Sequence, residues 1–167
     1  YADAMSRPAT MLALGLGAGK TRVAIGSLLN RDVRRVLVLC PKSVVPVWPL
    51  QFAGPLPDLP HGHADFTNTL ALDSGAVSTK THMADRFLDR PHRHTAVVVI
   101  NYDAARMEPF RSWSLDAGFD MVVLDESQRV KSPGGVTSRY VAAVGKRAAY
   151  RLCLSGTPAA HSPLDLY

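Results

Sequence analysis

The sequence predicts an α/β domain built around a central, mostly parallel β-sheet with helices on both faces. Five segments of five or six residues are continuously apolar, as in strands that are covered on both faces. Segments with helical periodicity lie between them. Alternating strands and helices joined by right-handed crossovers give a parallel sheet, so the pattern indicates a three-layer domain.

Six strands are predicted in chain order. Five of them are strongly apolar, and the sixth, at residues 69–72, is weaker. The strong ones lie at residues 10–14, Arg35–Cys40, 95–100, 120–124 and 151–155. Each strand end is of interest, because open α/β sheets bind ligands at the carboxyl ends of their strands.

Three helices are predicted between these strands, at residues 20–30, 78–89 and 136–144. In the first of them, Val23, Ala24, Ser27 and Leu28 share one face. Segments rich in glycine, proline or histidine predict loops at residues 54–63, 90–94 and 132–135.

Composition excludes several classes of protein. The chain has 167 residues, of which 47% are hydrophobic and 20% charged, and this balance excludes a disordered chain. No apolar run reaches the ~18 residues of a membrane span, and no signal peptide is expected. The formal charge of +5 is compatible with a nucleic-acid partner and equally with a basic solvated surface.

Residues 15–21, G-L-G-A-G-K-T, follow the first strand and lead directly into a helix. Glycines let backbone N–H groups approach phosphate oxygens, and a helix N-terminus adds partial positive charge. Lys20 could reach the β- and γ-phosphates, while the Thr21 hydroxyl could bind Mg²⁺. The full phosphate-loop pattern has glycine where this chain has Leu14. The alternative is an ordinary glycine-rich turn.

Asp125 and Glu126 follow the apolar strand M-V-V-L. Asp125 could hold Mg²⁺, and Glu126 could orient and deprotonate an attacking water. Two carboxylates at a strand end can also be simple helix caps. The functional interpretation is favoured because the phosphate loop is predicted at the same edge of the same sheet.

These motifs, together with S-G-T-P at residues 155–158, resemble motifs I, II and III of the superfamily-two helicases. The residues between them narrow the resemblance to the Swi/Snf-type translocases. Residues 35–52 are similar to motif Ia, with an apolar strand, a C-P-x-S turn and a helix bearing Trp48. Residues 97–103 are similar to motif Ib. The resemblance implies a RecA-like P-loop NTPase fold.

The resemblance also implies a role for each motif residue. Asp125 would be the metal-binding carboxylate and Glu126 the water-activating base. Gln128 stands where the D-E-A-H form has histidine, and it would couple the nucleotide to Ser155 and Thr157 of motif III. The residues that would hold ATP and Mg²⁺ are Gly17, Ala18, Gly19, Lys20, Thr21 and Gln128, with Lys20 also catalytic and Thr21 a metal ligand.

The same resemblance implies a surface that follows a nucleic-acid strand through its phosphates. Its members would be Pro41, Lys42, Ser43, Asn101 and Tyr102. Lys42 and Ser43, with the backbone amides around Asn101 and Tyr102, offer donors to phosphate and nothing suited to reading base edges, so binding independent of DNA sequence is expected.

We therefore expect residues 1–167 to form one ATP-binding lobe of a DNA-dependent ATPase that translocates on DNA. The adenine-reading segment and a second RecA-like lobe in cis are expected elsewhere in a longer protein, and the isolated lobe should hydrolyse ATP barely above background. The expected location is cytoplasmic and nucleoid-associated in a prokaryote or phage, and nuclear in a eukaryote. Two alternatives remain: a restriction-type translocase or other superfamily-two lobe, and a nucleotide-sensitive DNA-binding module without turnover.

Several residues that could suggest other chemistry are assigned structural roles instead. The histidines lie in loops without partners at metal-ligand spacing, the tryptophans favour packing, and the cysteines lie in apolar runs that exclude a disulfide scaffold. They are His61, His63, His92, His94, Trp48, Trp113, Cys40 and Cys153.

Overall fold

The computed structural model describes residues 7–15, 17–54, 67–130 and 134–156, which form a six-stranded sheet flanked by helices. The strands are β1 (Ala9–Ala13), β2 (Arg35–Cys40), β3 (Thr67–Leu72), β4 (Thr95–Asn101), β5 (Met121–Leu124) and β6 (Tyr150–Ser155). The helices are α1 (Lys20–Leu29), α2 (Val47–Ala53), α3 (Val77–Leu88), α4 (Tyr102–Ala105), α5 (Phe110–Asp116) and α6 (Val136–Arg147), with 3-10 turns at Lys42–Val44 and Ser127–Val130.

All strand pairs are parallel, in the spatial order β1-β6-β5-β2-β4-β3. The predicted α/β class and parallel sheet are therefore confirmed. The strand β6 lies between β1 and β5. Consequently the segments that follow β1 and β5 are separated by two strand spacings, about 10 Å.

Two hydrophobic clusters cover opposite faces of the sheet and make the three layers. Along β2, Leu37 and Leu39 belong to one cluster, whereas Val36 and Val38 belong to the other. This division explains the unbroken apolar runs, because successive side chains of a strand point to opposite faces. Helices α1 and α2 pack on one face, and α3 to α6 pack on the other.

Three short helices differ from the sequence prediction. Helices α4 and α5 lie where no element was predicted, and α2 was expected only from the family resemblance. Each has seven residues or fewer. Such a segment makes at most two turns, so its apolar residues repeat too few times to show a helical period.

The amino edge of the sheet is held by Asp120. One oxygen of its carboxylate accepts from the backbone N–H groups of Arg34 at 2.7 Å and Arg35 at 2.8 Å, which joins the start of β2 to the residue before β5. The sequence prediction began this strand at residue 120. In the structure Asp120 lies just before β5 and connects it to the start of β2.

Strand β1 lies at an edge of the sheet and pairs with β6 alone among the described strands. Its side chains alternate between exposed and half-buried, whereas those of β2 are buried from Val36 to Cys40. None of the helices in the described ranges is long and apolar enough to cross a membrane.

Candidate active site

A cleft of about 580 Å³ opens at the carboxyl edge of the sheet. It lies between the loop after β1, the helix α2 and the residues that follow β5. The residues that line it are Gly17, Gly19, Lys20, Thr21, Arg22, Val44, Val47, Trp48, Gln51, Asp125 and Glu126. Most of the side chains predicted to bind nucleotide and metal are therefore brought together in one cleft.

The glycine loop adopts a backbone that favours glycine at two positions. Gly17 has φ 75° and Gly19 has φ 80°, both in the left-handed region. A Cβ atom at either position would meet no other atom within 4 Å, so the backbone conformation and not space requires glycine. Gly19 is also the N-cap of α1, whose first turn has no side-chain cap and no acidic residue. These features suit an anionic ligand.

Lys20 is 9% exposed, and its ammonium is held against the loop. Its Nζ donates to the carbonyl oxygens of Leu14 at 3.1 Å and Gly15 at 3.2 Å. The loop is closed further by the N–H of Ala18, which donates to the Gly15 carbonyl at 3.2 Å. The positive charge is thus held against the first residues of the loop.

Asp125 is 7% exposed and is contacted from three directions. Its N–H donates to the Leu39 carbonyl at 2.8 Å, the Trp48 indole donates to its Oδ2 at 3.2 Å, and the Tyr102 hydroxyl donates to its backbone carbonyl at 2.8 Å. Burial raises the pKa of the Asp125 carboxyl; the Trp48 hydrogen bond opposes this shift and the Glu126 charge adds to it. A buried carboxylate of this kind is suited to a cation.

Glu126 has φ 52°, a left-handed conformation that is uncommon for any residue other than glycine. Its Oε2 accepts a short hydrogen bond from Nε2 of Gln128. The Oε1 of Gln128 in turn accepts from the Ser155 hydroxyl at 2.8 Å. An amide can make this link because it has both donor and acceptor atoms. The carboxylate, the amide and the hydroxyl form a continuous chain from β5 to β6.

The donor set of the cleft fits magnesium bound together with a nucleotide. In the described part of the chain, no group of three His, Cys, Asp or Glu side chains could hold a metal on its own. The cleft instead offers the Thr21 hydroxyl and the Asp125 carboxylate. Mg²⁺ characteristically uses one or two such protein oxygens and takes its remaining ligands from waters and phosphates.

The predicted DNA-binding residues divide into an exposed group and a buried group. Lys42 and Ser43 are exposed in the turn after β2, while Pro41 is buried. Asn101 is buried, and its Oδ1 accepts from the Ala104 N–H at 2.9 Å, which caps α4. Tyr102 is buried against Asp125. A role for Asn101 and Tyr102 at a phosphate stays a prediction.

Lys80 was not singled out from the sequence but lies beside Lys42. It is 4% exposed, and its Nζ donates to the Asp73 carbonyl at 3.2 Å, just after β3. Burial lowers the pKa of Lys80; the nearby Asp73 carboxylate raises it, and the Lys42 charge lowers it further. A lysine on an amphipathic helix gives no sequence signal that distinguishes it from a solvated one.

The remaining singled-out residues take structural roles where they are described. The ring of His92 packs on Phe87, with 4.6 Å between the centroids, and its Nε2 lies 2.6 Å from the Phe87 carbonyl oxygen. Cys40 is fully buried, and burial followed by the Asp125 charge raises the pKa of its thiol to about 12. His61, His63 and Thr157 lie outside the described residues.

One family of proteins matches this chain by sequence over nearly its whole length. The model of the SNF2-related domain matches residues 3–167. No curated protein sequence gives a significant match.

Three similar solved structures share the fold. The Sulfolobus solfataricus SWI2/SNF2 ATPase core, in complex with dsDNA, matches with TM-score 0.65 and 21% identity over 93% of this chain and 29% of that one. The Pyrococcus furiosus Hef helicase domain matches with TM-score 0.67 and 18% identity over 99% of this chain and 33% of that one. A nuclease-deletion mutant of the Type ISP restriction-modification enzyme LlaGI, in complex with a DNA substrate mimic, matches with TM-score 0.58 and 16% identity. The match covers 90% of this chain and 13% of that one. This chain therefore spans a third or less of the length of each.

Proposed function

The chain belongs to the family of SNF2-related domains, and from this premise we propose that it is the ATP-binding RecA-like lobe of a DNA-dependent ATPase that translocates on DNA. One observation carries the proposal. The glycine loop and Lys20 follow the carboxyl end of β1, and the carboxylates of Asp125 and Glu126 follow the carboxyl end of β5. The two groups face each other across one cleft. This arrangement suits a triphosphate and its metal.

In this proposal the loop binds the phosphates. The N–H groups of Gly17, Gly19, Lys20 and Thr21 would donate to phosphate oxygens, and the Lys20 ammonium would exchange its two carbonyl partners for the β- and γ-phosphates. Thr21 and Asp125 would hold Mg²⁺, which when bound neutralises charge on the phosphate oxygens. The chain's own contribution is to position charge before the substrate arrives.

Glu126 would accept a proton from the attacking water. Glu126 lines the cleft, and Gln128 holds one of the two oxygens of its carboxylate. The chain of hydrogen bonds from Glu126 through Gln128 to Ser155 would make the position of the base depend on the end of β6. A second RecA-like lobe in cis would supply the arginine that stabilises charge on the γ-phosphate, a group typically worth ~10³–10⁵ in rate.

DNA would bind through phosphates at the exposed turn after β2. Lys42 and Ser43 offer donors there, and Lys80 adds positive charge to the same edge. The Sulfolobus relative was solved with duplex DNA, which supports assigning a similar partner to this chain. Backbone contacts of this kind give affinity without sequence preference.

The chain contains only two glutamates, and this provides a matched test. In the protein that carries this chain, Glu126→Gln should abolish DNA-stimulated ATP hydrolysis and leave nucleotide affinity unchanged. Glu108→Gln alters an exposed carboxylate that accepts from Arg111 and Ser112, and it should change neither property. Unchanged hydrolysis in Glu126→Gln would refute the assigned base. Nucleotide and DNA binding without any hydrolysis in the wild type would identify a binding module instead.

A further inference from the structure

Asp125 receives hydrogen bonds from the two segments that border the proposed DNA surface. Trp48 lies on α2, which follows β2, and its Nε1 donates to Oδ2 of Asp125 at 3.2 Å. Tyr102 begins α4, directly after β4, and its hydroxyl donates to the Asp125 backbone carbonyl at 2.8 Å. Both aromatic side chains are buried, at 2% and 6% exposure. Two separate elements therefore meet at one residue.

These contacts orient the group that the proposed function assigns to the metal. An indole N–H can only donate, and a buried one requires an acceptor. For Trp48 the acceptor is the carboxylate itself, so the direction of the carboxylate depends on where α2 lies. The Tyr102 hydroxyl fixes the peptide between Asp125 and Glu126, and this peptide leads into the left-handed conformation of Glu126.

The same two elements begin at the surface proposed to hold DNA. The exposed Lys42 opens the turn Lys42–Val44, which leads into α2 and Trp48 within six residues. Asn101 caps α4 through its side chain, and the next residue is Tyr102. A small shift of either segment on contact with phosphate would move an aromatic donor, since helices in packed layers move as rigid bodies.

We propose that Trp48 and Tyr102 are positioning residues that couple DNA binding to the placement of the metal carboxylate Asp125. This inference rests on the proposed function. It predicts that DNA tightens binding of the Mg²⁺-nucleotide complex, and that Mg²⁺-nucleotide tightens DNA binding by the same factor, because linkage is reciprocal. Couplings of this kind are typically on the order of 5–150-fold.

The chain offers a matched control for each aromatic donor. Trp113 also donates its indole N–H to an aspartate, Asp85, at 2.8 Å, and Tyr140 is hydrogen-bonded through its hydroxyl to Ser114 at 3.0 Å. Trp113 and Tyr140 lie in the cluster on the other face of the sheet from Trp48. Substituting each of the four by phenylalanine removes one polar group and retains an aromatic ring.

The experiment measures nucleotide affinity by calorimetry in the protein that carries this chain, with and without Mg²⁺ and with and without saturating duplex DNA. We expect Trp48→Phe to reduce the affinity gained from Mg²⁺ by about fivefold or more. Any change in the affinity for metal-free nucleotide should be much smaller than this loss. In both Trp48→Phe and Tyr102→Phe, saturating DNA should no longer raise the affinity for the Mg²⁺-nucleotide complex appreciably. Trp113→Phe and Tyr140→Phe should retain both gains.

Three outcomes would overturn the inference. The first is that Trp48→Phe and Tyr102→Phe both retain the gain in nucleotide affinity caused by DNA. The second is that the control variants lose this gain to the same extent. The third is an equal loss of nucleotide affinity with and without Mg²⁺, which would indicate a structural role only. If Trp48→Phe does not fold, Tyr102→Phe carries the same test of coupling. Failure of the wild type to bind Mg²⁺-nucleotide would refute the proposed function as well, so the two failures are distinguishable.

Discussion

Ser155 donates its hydroxyl hydrogen bond to the side-chain carbonyl oxygen of Gln128 at 2.8 Å. Through its own backbone carbonyl, Ser155 also accepts from the N–H of Leu14 at 3.1 Å, at the base of the glycine loop. One residue at the end of β6 thus contacts both the segment that leads into the glycine loop and the chain of hydrogen bonds that ends at Glu126. The expected coupling of Gln128 to Ser155 therefore has a direct physical path, and its role in turnover stays a prediction.

Replacing Ser155 by alanine tests that path. The change removes the donor to Gln128, a hydrogen bond worth about 0.5–1.5 kcal/mol. We expect nucleotide affinity to be retained and DNA-stimulated ATP hydrolysis to fall by up to about tenfold, the rate equivalent of ~1.4 kcal/mol. Ser114→Ala removes a buried hydroxyl bonded to Tyr140 and should leave hydrolysis unchanged. Equal losses of activity in the two variants would attribute the effect to stability alone.

Lys20→Ala should weaken nucleotide binding strongly. A charge-assisted contact to phosphate is worth ~1.5–3 kcal/mol, which corresponds to roughly 10- to 150-fold in affinity. Calorimetric titration with Mg²⁺-ADP measures the change. Lys146→Ala, in the last turn of α6, alters the net charge equally and should have no effect. The phosphate-loop assignment does not survive if both variants bind nucleotide like the wild type.

Asp125→Asn should stabilise the fold at neutral pH. Because burial raises the pKa of Asp125 above its ordinary value of 3.8, the folded state retains this proton to higher pH than the unfolded state. The free energy of unfolding therefore falls as pH rises from 3.8 through the folded pKa. Asparagine removes that penalty, so the variant should be more stable than the wild type at neutral pH, with the difference vanishing below pH 3.8.

Denaturant unfolding of both proteins across this pH range provides the measurement for Asp125→Asn. Asp116→Asn is the control, since this aspartate is exposed in the last turn of α5. A stability difference that is independent of pH, or that grows on acidification, would contradict the predicted direction of the pKa shift.

Lys42→Ala tests whether DNA is held at a defined surface. Each phosphate contact contributes about −0.9 to the slope of log affinity against log salt on duplex DNA. Loss of Lys42 should flatten that slope by up to about one unit and should lower the affinity for unrelated duplexes by the same factor. Arg34 is the control, because it precedes β2 and lies at the opposite edge of the sheet from Lys42. Equal effects of Lys42→Ala and Arg34→Ala would indicate diffuse attraction by net charge, and a tenfold preference for one duplex would contradict backbone binding.

Most of the fold could be predicted because the strands are apolar on both faces. The range Arg35–Cys40 was predicted as observed, and the ends of the other strands differ from the prediction by at most two residues. The short helices α4 and α5 were missed. Their buried residues, such as Tyr102 and Phe110, are fixed by contacts with the sheet face and not by a periodic pattern of their own.

The candidate site could be predicted only where residues adjacent in sequence act together. The glycine loop and the pair Asp125 and Glu126 were found because each forms a local pattern at a strand end. The contacts of Asp125 with Trp48 and Tyr102 span 77 and 23 residues. Trp48 was correctly predicted to be buried, but the acceptor of its indole N–H depends on the order of strands in the sheet, which no local pattern specifies.

The two walls of the cleft also differ in how firmly they are held. The carboxylates extend from β5, which is paired on both sides, whereas the glycine loop extends from β1, the edge strand that pairs with β6 alone among the described strands. Edge elements with little buried surface open at lower free energy than central ones. The backbone amides of β1 should therefore exchange with solvent faster than those of β5. A ligand that contacts both the glycine loop and the carboxylates would link β1 to a central strand. It should therefore slow amide hydrogen exchange in β1 toward the rate of the central strands.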